Sequence, residues 1–178
     1  MAKLTEGKKP PFRISPRRIA IAGIFTAMTV VATVFTRIPF PMILGYFNLG
    51  DAVVLIAGAQ FGGLTGAFAG AVGSAAADLF TGGYIFAPVT FIVKGAEGFI
   101  AGTLARGSKR GLTIALVLGA AFMVAGYFAA EATILAALDR AFGIGAAIAE
   151  LPINVAQGVL SVALARVAIE GFRRSGVF

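Results

Sequence analysis

Phe91-Ile92-Val93-Lys94-Gly95-Ala96-Glu97-Gly98 places an ammonium and a carboxylate three residues apart in an otherwise apolar run. The run extends from Pro88 to about Ala105, close to the length of a bilayer-spanning helix. At i, i+3 spacing Lys94 and Glu97 share one helix face and can neutralise each other. An ionisable group at that depth costs several kcal/mol, so it faces a cavity, a partner or a substrate. The same interruption recurs elsewhere: Asp78, Tyr127, Glu131, Glu150, Asn154 and Gln157 lie within or at the ends of segments made of Ala, Gly, Val, Ile, Leu and Phe. The expectation is a small membrane protein that holds something polar.

Composition supports the membrane reading. Hydrophobic residues make up 58% of the 178-residue chain and charged residues only 13%, too little polar surface to cover a soluble domain. Cysteine is absent, which excludes disulfides, thiolate chemistry and a thiolate metal site. Histidine is absent too, and with it the commonest general base and metal ligand. The net charge of +7 sits in clusters between and outside the apolar segments, so it reads as topology rather than as a nucleic-acid surface.

The chain divides into six apolar spans, an all-α membrane bundle. They run from about Ile19 to Phe35, Asp51 to Phe61, Gly62-Gly63 to Phe80, Pro88 to Ala105, Leu112 to Leu135 and Pro152 to Ile169. The loop from Thr36 to Gly50 is broken by Pro39 and Pro41, and Ala136 to Ala149 is mixed in character. Several spans are short, which argues for tilted or partly unwound helices around a cavity. The positive-inside rule tests the count. Lys3, Lys8, Lys9, Arg13, Arg17 and Arg18, then Arg106, Lys109 and Arg110, then Arg173 and Arg174 fall on one side only if there are six spans with both termini cytoplasmic. The opposite side keeps Arg37 and Arg140. The expected organisation is a basic cytoplasmic segment 1–18, a membrane domain 19–170 and a cytoplasmic tail 171–178. The first helix is expected to be retained rather than cleaved.

Gly62, Gly66, Gly70 and Ser74 follow one another at i+4, with Asp78 next on the same stripe. Close helix packing explains that stripe fully. Lys94 and Glu97 form either an internal ion pair or a wall for a ligand. Tyr127 and Glu131 are four apart, and Glu150, Asn154, Gln157 and Ser161 make one continuous face. Three such faces on consecutive helices point to a shared ligand pocket. Asp51, at the start of a helix, reads as an N-cap.

In order along the chain, Asn48-Leu49-Gly50-Asp51, Ala77-Asp78-Leu79, Ile85-Phe86-Ala87-Pro88, Phe91 to Gly98, Gly126-Tyr127-Phe128 with Glu131, and Glu150-Leu151-Pro152-Ile153-Asn154 with Gln157 resemble the S components of energy-coupling factor (ECF) vitamin transporters. The resemblance covers about residues 17 to 170. It implies a multi-pass protein of the bacterial cytoplasmic membrane that captures a vitamin or precursor near the extracellular face. Its partners would be a transmembrane coupling subunit and two cytoplasmic ATPases, and it would have no cofactor of its own. The family's small-residue docking motif on the first helix falls on Ala20, Gly23 and Ala27. The loop after that helix lids the pocket in the family, which places Phe40, Tyr46 and Asn48 near it. The family's pocket walls match Tyr84, Lys94, Glu97, Tyr127, Glu131, Asn154 and Gln157.

The residues agree that this chain powers nothing alone: no Gly-x-x-x-x-Gly-Lys-Ser/Thr loop is present, and Gly107-Ser108-Lys109-Arg110-Gly111 is only a basic turn. Acidic, amide, Tyr and Lys positions without Trp suit a small heterocycle. A pyrimidine- or pyridine-type vitamin precursor is favoured, with riboflavin next. Two other classes stay open: an ion-coupled secondary transporter using Asp78, Glu97 or Glu131, and an intramembrane enzyme working through carboxylates and Lys94.

Overall fold

Six helical rods and one short hairpin make up the computed structural model, which describes residues 15–41, 44–105 and 107–176. Residues 1–14 of the expected basic segment, Arg106 of the second basic cluster and residues 177–178 of the tail lie outside the described residues.

Helix α1 (Pro16–Phe35) starts where Ser15 caps it, its side chain accepting from the Arg18 amide, with Pro16 in the first turn. A two-stranded antiparallel hairpin follows, β1 (Ile38–Pro39) on β2 (Tyr46–Phe47), with Ile38 opposite Phe47 and Pro39 opposite Tyr46. This hairpin occupies the stretch expected to be loop. Helix α2 (Gly50–Phe61) ends at Gly62, whose φ of 97° suits glycine and turns the chain sharply into α3 (Gly63–Phe80). The middle of α3, Ala69–Ser74, is π-helical. Then come α4 (Ala87–Leu104), α5 (Lys109–Leu138, with a π-helical turn at Glu131–Leu135) and α6 (Ile144–Arg174).

Among the described residues, α1, α3, α5 and α6 are long and apolar enough to cross a membrane. Helix α2 is apolar but only 12 residues long, and α4 carries Lys94 and Glu97. The last helix departs most from expectation. Rather than opening at Pro152, α6 begins at Ile144 and carries Pro152 inside it. Proline removes one intrahelical donor, that to the Ile148 carbonyl, but a bilayer helix tolerates one such break where the rest of the ladder holds.

Glycines set how closely the rods approach. A Cβ on Gly98 of α4 would lie 2.2 Å from the Gly66 carbonyl oxygen of α3, and one on Gly66 would lie 2.5 Å from the Gly58 Cα of α2. Three backbones therefore meet at one node where only glycine fits. One turn along the stripe, Gly70 packs on the backbone of Lys94. Two apolar clusters fill the rest of the interior: Leu55, Ala101, Leu112, Leu116, Ala165 and Ile169 in one, and Phe86, Val89, Val93, Met123, Ala130, Leu135 and Phe142 in the other. The polar side chains gather beside the second, under the hairpin.

Candidate functional site: a polar cavity beneath the hairpin

The floor of the site is a buried chain of polar groups. Asp51, in the first turn of α2, is fully buried, and its two oxygens bind different partners. One accepts from the Lys94 ammonium of α4; the other accepts from the Gln157 amide of α6 at 2.8 Å. The Gln157 carbonyl in turn accepts from the Asn48 backbone amide at 2.8 Å and from its side-chain amide at 3.3 Å. The Asn48 Oδ1 accepts from the Gly50 backbone amide at 2.9 Å. Asp51 is thus not the helix cap: Leu49 holds the cap position without a side-chain bond, Asn48 just before it satisfies the first helical amide, and Asp51 is the acceptor at the centre of the network. Its position at the helix start suggested a cap, but the loop before it places Asn48 over the free amide instead.

Lys94 lies 3.6 Å from Glu97, the i, i+3 pair expected, yet Asp51 is its closer partner. Burying two carboxylates and one ammonium is tolerable because each charge has a counter-charge within reach. Above Lys94, the Tyr127 ring stands 5.3 Å from the ammonium, and its hydroxyl donates to Thr90 at 3.0 Å.

The walls enclose a cavity with about 30 Å³ of free space, room for one water molecule. Thr33 comes from α1, Ser74 and Asp78 from α3, Phe86, Thr90 and Lys94 from the start of α4 and the residue before it, Tyr127 and Glu131 from α5, and Glu150, Asn154 and Gln157 from α6. Asn48 and the hairpin residues Gly45 and Tyr46 close the top. The Glu150 carboxylate packs directly on Gly45, in the space any side chain would need. The Tyr46 hydroxyl donates to Asp78, and burial, with the Asp78 carboxyl next to it, pushes the phenol well above its ordinary value. Arg37 stacks 4.2 Å over the Tyr46 ring and donates to the Thr81 carbonyl at 2.7 Å, tying the hairpin to the end of α3.

Of the residues singled out from sequence, Asn48, Lys94, Tyr127, Glu131, Asn154 and Gln157 line the cavity together. Glu97 is fully buried beneath it and touches it only through Lys94. Tyr84 does not join them. It is 69% exposed, because the turn it occupies ends before α4 begins and leaves the ring outside the bundle. Asp78 and Glu150, noted from sequence as polar interruptions but not placed in the pocket wall, line the cavity too, as do Thr33, Ser74 and Thr90, none of which was noted as polar. Asp78 stood on the small-residue stripe as its last member, and hydroxyls in apolar helices commonly bond their own backbone, which hid the three hydroxyl residues. Ala20, Gly23 and Ala27 lie on one exposed face of α1, and a Cβ on Gly23 would meet nothing within 4 Å.

Residues 13–174 match the family described as ECF-type riboflavin transporter, S component. The chain belongs to that family. A Pyrococcus woesei protein, described as an uncharacterized protein in gap 3' region, is 36% identical over 135 residues, covering 74% of this chain and 85% of that one. A solved S component of a bacterial ECF transporter superposes with a TM-score of 0.72 over 91% of this chain and 96% of its own, at 19% identity, a likeness of fold alone. As an ECF S component the chain is an integral membrane, substrate-binding transport subunit and not an enzyme. S components work with a transmembrane subunit and ATPase subunits, which accords with the missing ATP-binding loop.

Proposed function

We propose that this S component captures a small water-soluble vitamin or vitamin precursor from the extracellular side and hands it inward through a coupling subunit driven by two partner ATPases. The observation that carries this reading is the polar cavity: five of the six helices and a hairpin converge on it in a bundle that is otherwise apolar. Asn48, Lys94, Tyr127, Glu131, Asn154 and Gln157 are the proposed substrate-binding residues, joined by Asp78 and Glu150, with Glu97 setting the charge of Lys94 from below.

The orientation follows from charge. Six spans within residues 19–170, with the basic segment 1–18 and the tail 171–178 in the cytoplasm, put Arg17, Arg18, Lys109, Arg110, Arg173 and Arg174 on one side and the hairpin on the other. The cavity then opens outward in the cytoplasmic membrane. The hairpin is the lid of the cavity in this reading: its strands have two residues each, and it is held to α3 by the Tyr46–Asp78 and Arg37–Thr81 bonds. The mixed acidic, amide, Tyr and Lys lining favours a single-ring pyrimidine or pyridine, with the three-ring riboflavin of the family's name next. Ala20, Gly23 and Ala27 present a flat strip of helix backbone suited to docking the coupling subunit.

Uptake of labelled vitamins by cells expressing the chain with and without a coupling subunit and ATPases tests the reading. Uptake that requires the partners supports it. Uptake by the chain alone, driven by an ion gradient, would instead make it a secondary transporter.

A further inference from the structure

We propose that the groove between α5 and α6 is a lipid site. It holds one acyl chain of an anionic phospholipid, whose headgroup rests on the arginines at the groove's basic end. The site lies on the outside of the bundle, apart from the polar cavity, and the inference goes beyond the capture reading.

The groove has a volume of about 660 Å³, the size of a ligand cleft. Phe128 of α5 and Leu151 of α6 close one end, and from there to Val117 and Val162 only Ala, Val and Gly line it. Ala121, Ala125 and Val159 are exposed along it. Such small side chains leave a furrow where longer ones would fill the space between the two helices. No lining residue has a polar side chain, so a heterocycle of the kind the cavity suits would lose its hydrogen bonds there. From Val117 to Phe128 the groove rises about 16 Å along α5, roughly half of a bilayer's hydrocarbon core. That depth matches the chain of a lipid in one leaflet, and it falls short of a partner's transmembrane helix.

The basic end supplies partners for the headgroup. One turn beyond the groove, Arg166 of α6 donates to the Thr113 hydroxyl of α5 and pairs with Glu170 at 3.1 Å. The Arg166–Thr113 bond sets the register of the two antiparallel helices at this end. Arg110, Thr113 and Val117 share one face of α5, and Val162, Arg166 and Arg173 share one face of α6, so Arg110 and Arg173 continue the line of the groove. Lys109 and Arg174 flank them. Among the described residues, Lys109, Arg110, Arg173 and Arg174 have no ion-pair partner. Glu170 is the one carboxylate within residues 109–117 and 162–174, against five cations. Basic residues beside a bilayer surface attract anionic headgroups, and their stems can lie along the apolar chain below. In the orientation proposed above, the lipid comes from the cytoplasmic leaflet.

The test is native mass spectrometry of the detergent-purified full chain, titrated with dioleoyl phosphatidylglycerol or dioleoyl phosphatidylcholine. The expected result is a one-to-one phosphatidylglycerol adduct at least about 10-fold tighter than the phosphatidylcholine adduct. Ala121→Phe fills the furrow from its exposed side and should weaken both lipids about 10-fold, with vitamin binding unchanged. Replacing Arg110 and Arg173 together by Gln should bring phosphatidylglycerol down to the level of phosphatidylcholine. Equal binding of the two lipids by the parent chain overturns the inference. So does a folded Ala121→Phe protein with the parent's phosphatidylglycerol affinity, and Ala125→Phe serves if the first variant does not fold. If filling the groove abolishes a dimer, or co-purification with the coupling subunit, and leaves the lipid adduct intact, the groove is a protein contact and the inference is wrong.

Discussion

Asp51 and Lys94 are the residues whose removal has the clearest consequence. Replacing Lys94 leaves the Asp51 and Glu97 carboxylates buried without their cation, and replacing Asp51 leaves Lys94 with Glu97 alone at 3.6 Å; losing a buried ionic partner costs about 3–5 kcal/mol. Thermal unfolding in detergent should therefore show Lys94→Met and Asp51→Asn each strongly destabilised. The double variant should be less destabilised than the two effects added, because both charges are then gone. Tyr46 gives the pH dependence. Burial raises its phenol above the ordinary value of 10.0, so the folded protein keeps the proton where the unfolded chain loses it. The stability it contributes is complete below pH 10 and falls as pH rises beyond that value. A Tyr46→Phe protein should lose the Asp78 bond at neutral pH but show a flatter alkaline limb in an unfolding titration. At this scale the sequence was readable where polar residues interrupt apolar runs, as Lys94, Glu131 and Gln157 do. It was misleading for Asp51, because a carboxylate at a helix start looks the same whether it caps the helix or turns inward. Tyr84 misled in another way, since nothing local says which side of a turn an aromatic ring takes.

The helices themselves were legible from apolar length and small-residue spacing. Three features were not. The hairpin has two residues per strand, too few for alternation to register. The π-helical turns at Ala69–Ser74 and Glu131–Leu135 leave no compositional trace, although Ser74 and Glu131 both reach the cavity from them. The third is the start of α6, where a mid-helix proline read as a beginning. Two glycines on different helices make a sharp contrast. Gly98→Ala puts a methyl 2.2 Å from a backbone oxygen and should cost roughly 1–3 kcal/mol or prevent folding, read by thermal unfolding. Gly23→Leu faces open space, so unfolding and vitamin binding should be unchanged while co-purification with the coupling subunit is lost. Co-purification that survives Gly23→Leu would remove α1 from the docking surface.

For the whole molecule, the division of labour follows from what the chain has and lacks. It has a polar cavity inside an apolar bundle, and it has no phosphate-cradling loop with which to use ATP. Composition and apolar run length made the helical membrane bundle readable, because both are sums over many residues and survive local errors. The ligand was not readable in the same way, since specificity depends on which oxygens are left unpaired, and pairing is set by contacts far apart in sequence, as between Asn48 and Gln157. Native mass spectrometry of the detergent-purified subunit, challenged with a panel of B vitamins and their precursors, tests the central claim most directly. The account expects one small heterocycle bound at one-to-one stoichiometry and lost when Glu131 and Gln157 are replaced together by Ala. A chain that stays folded and binds nothing across the panel, or that binds equally well without those two side chains, would contradict it.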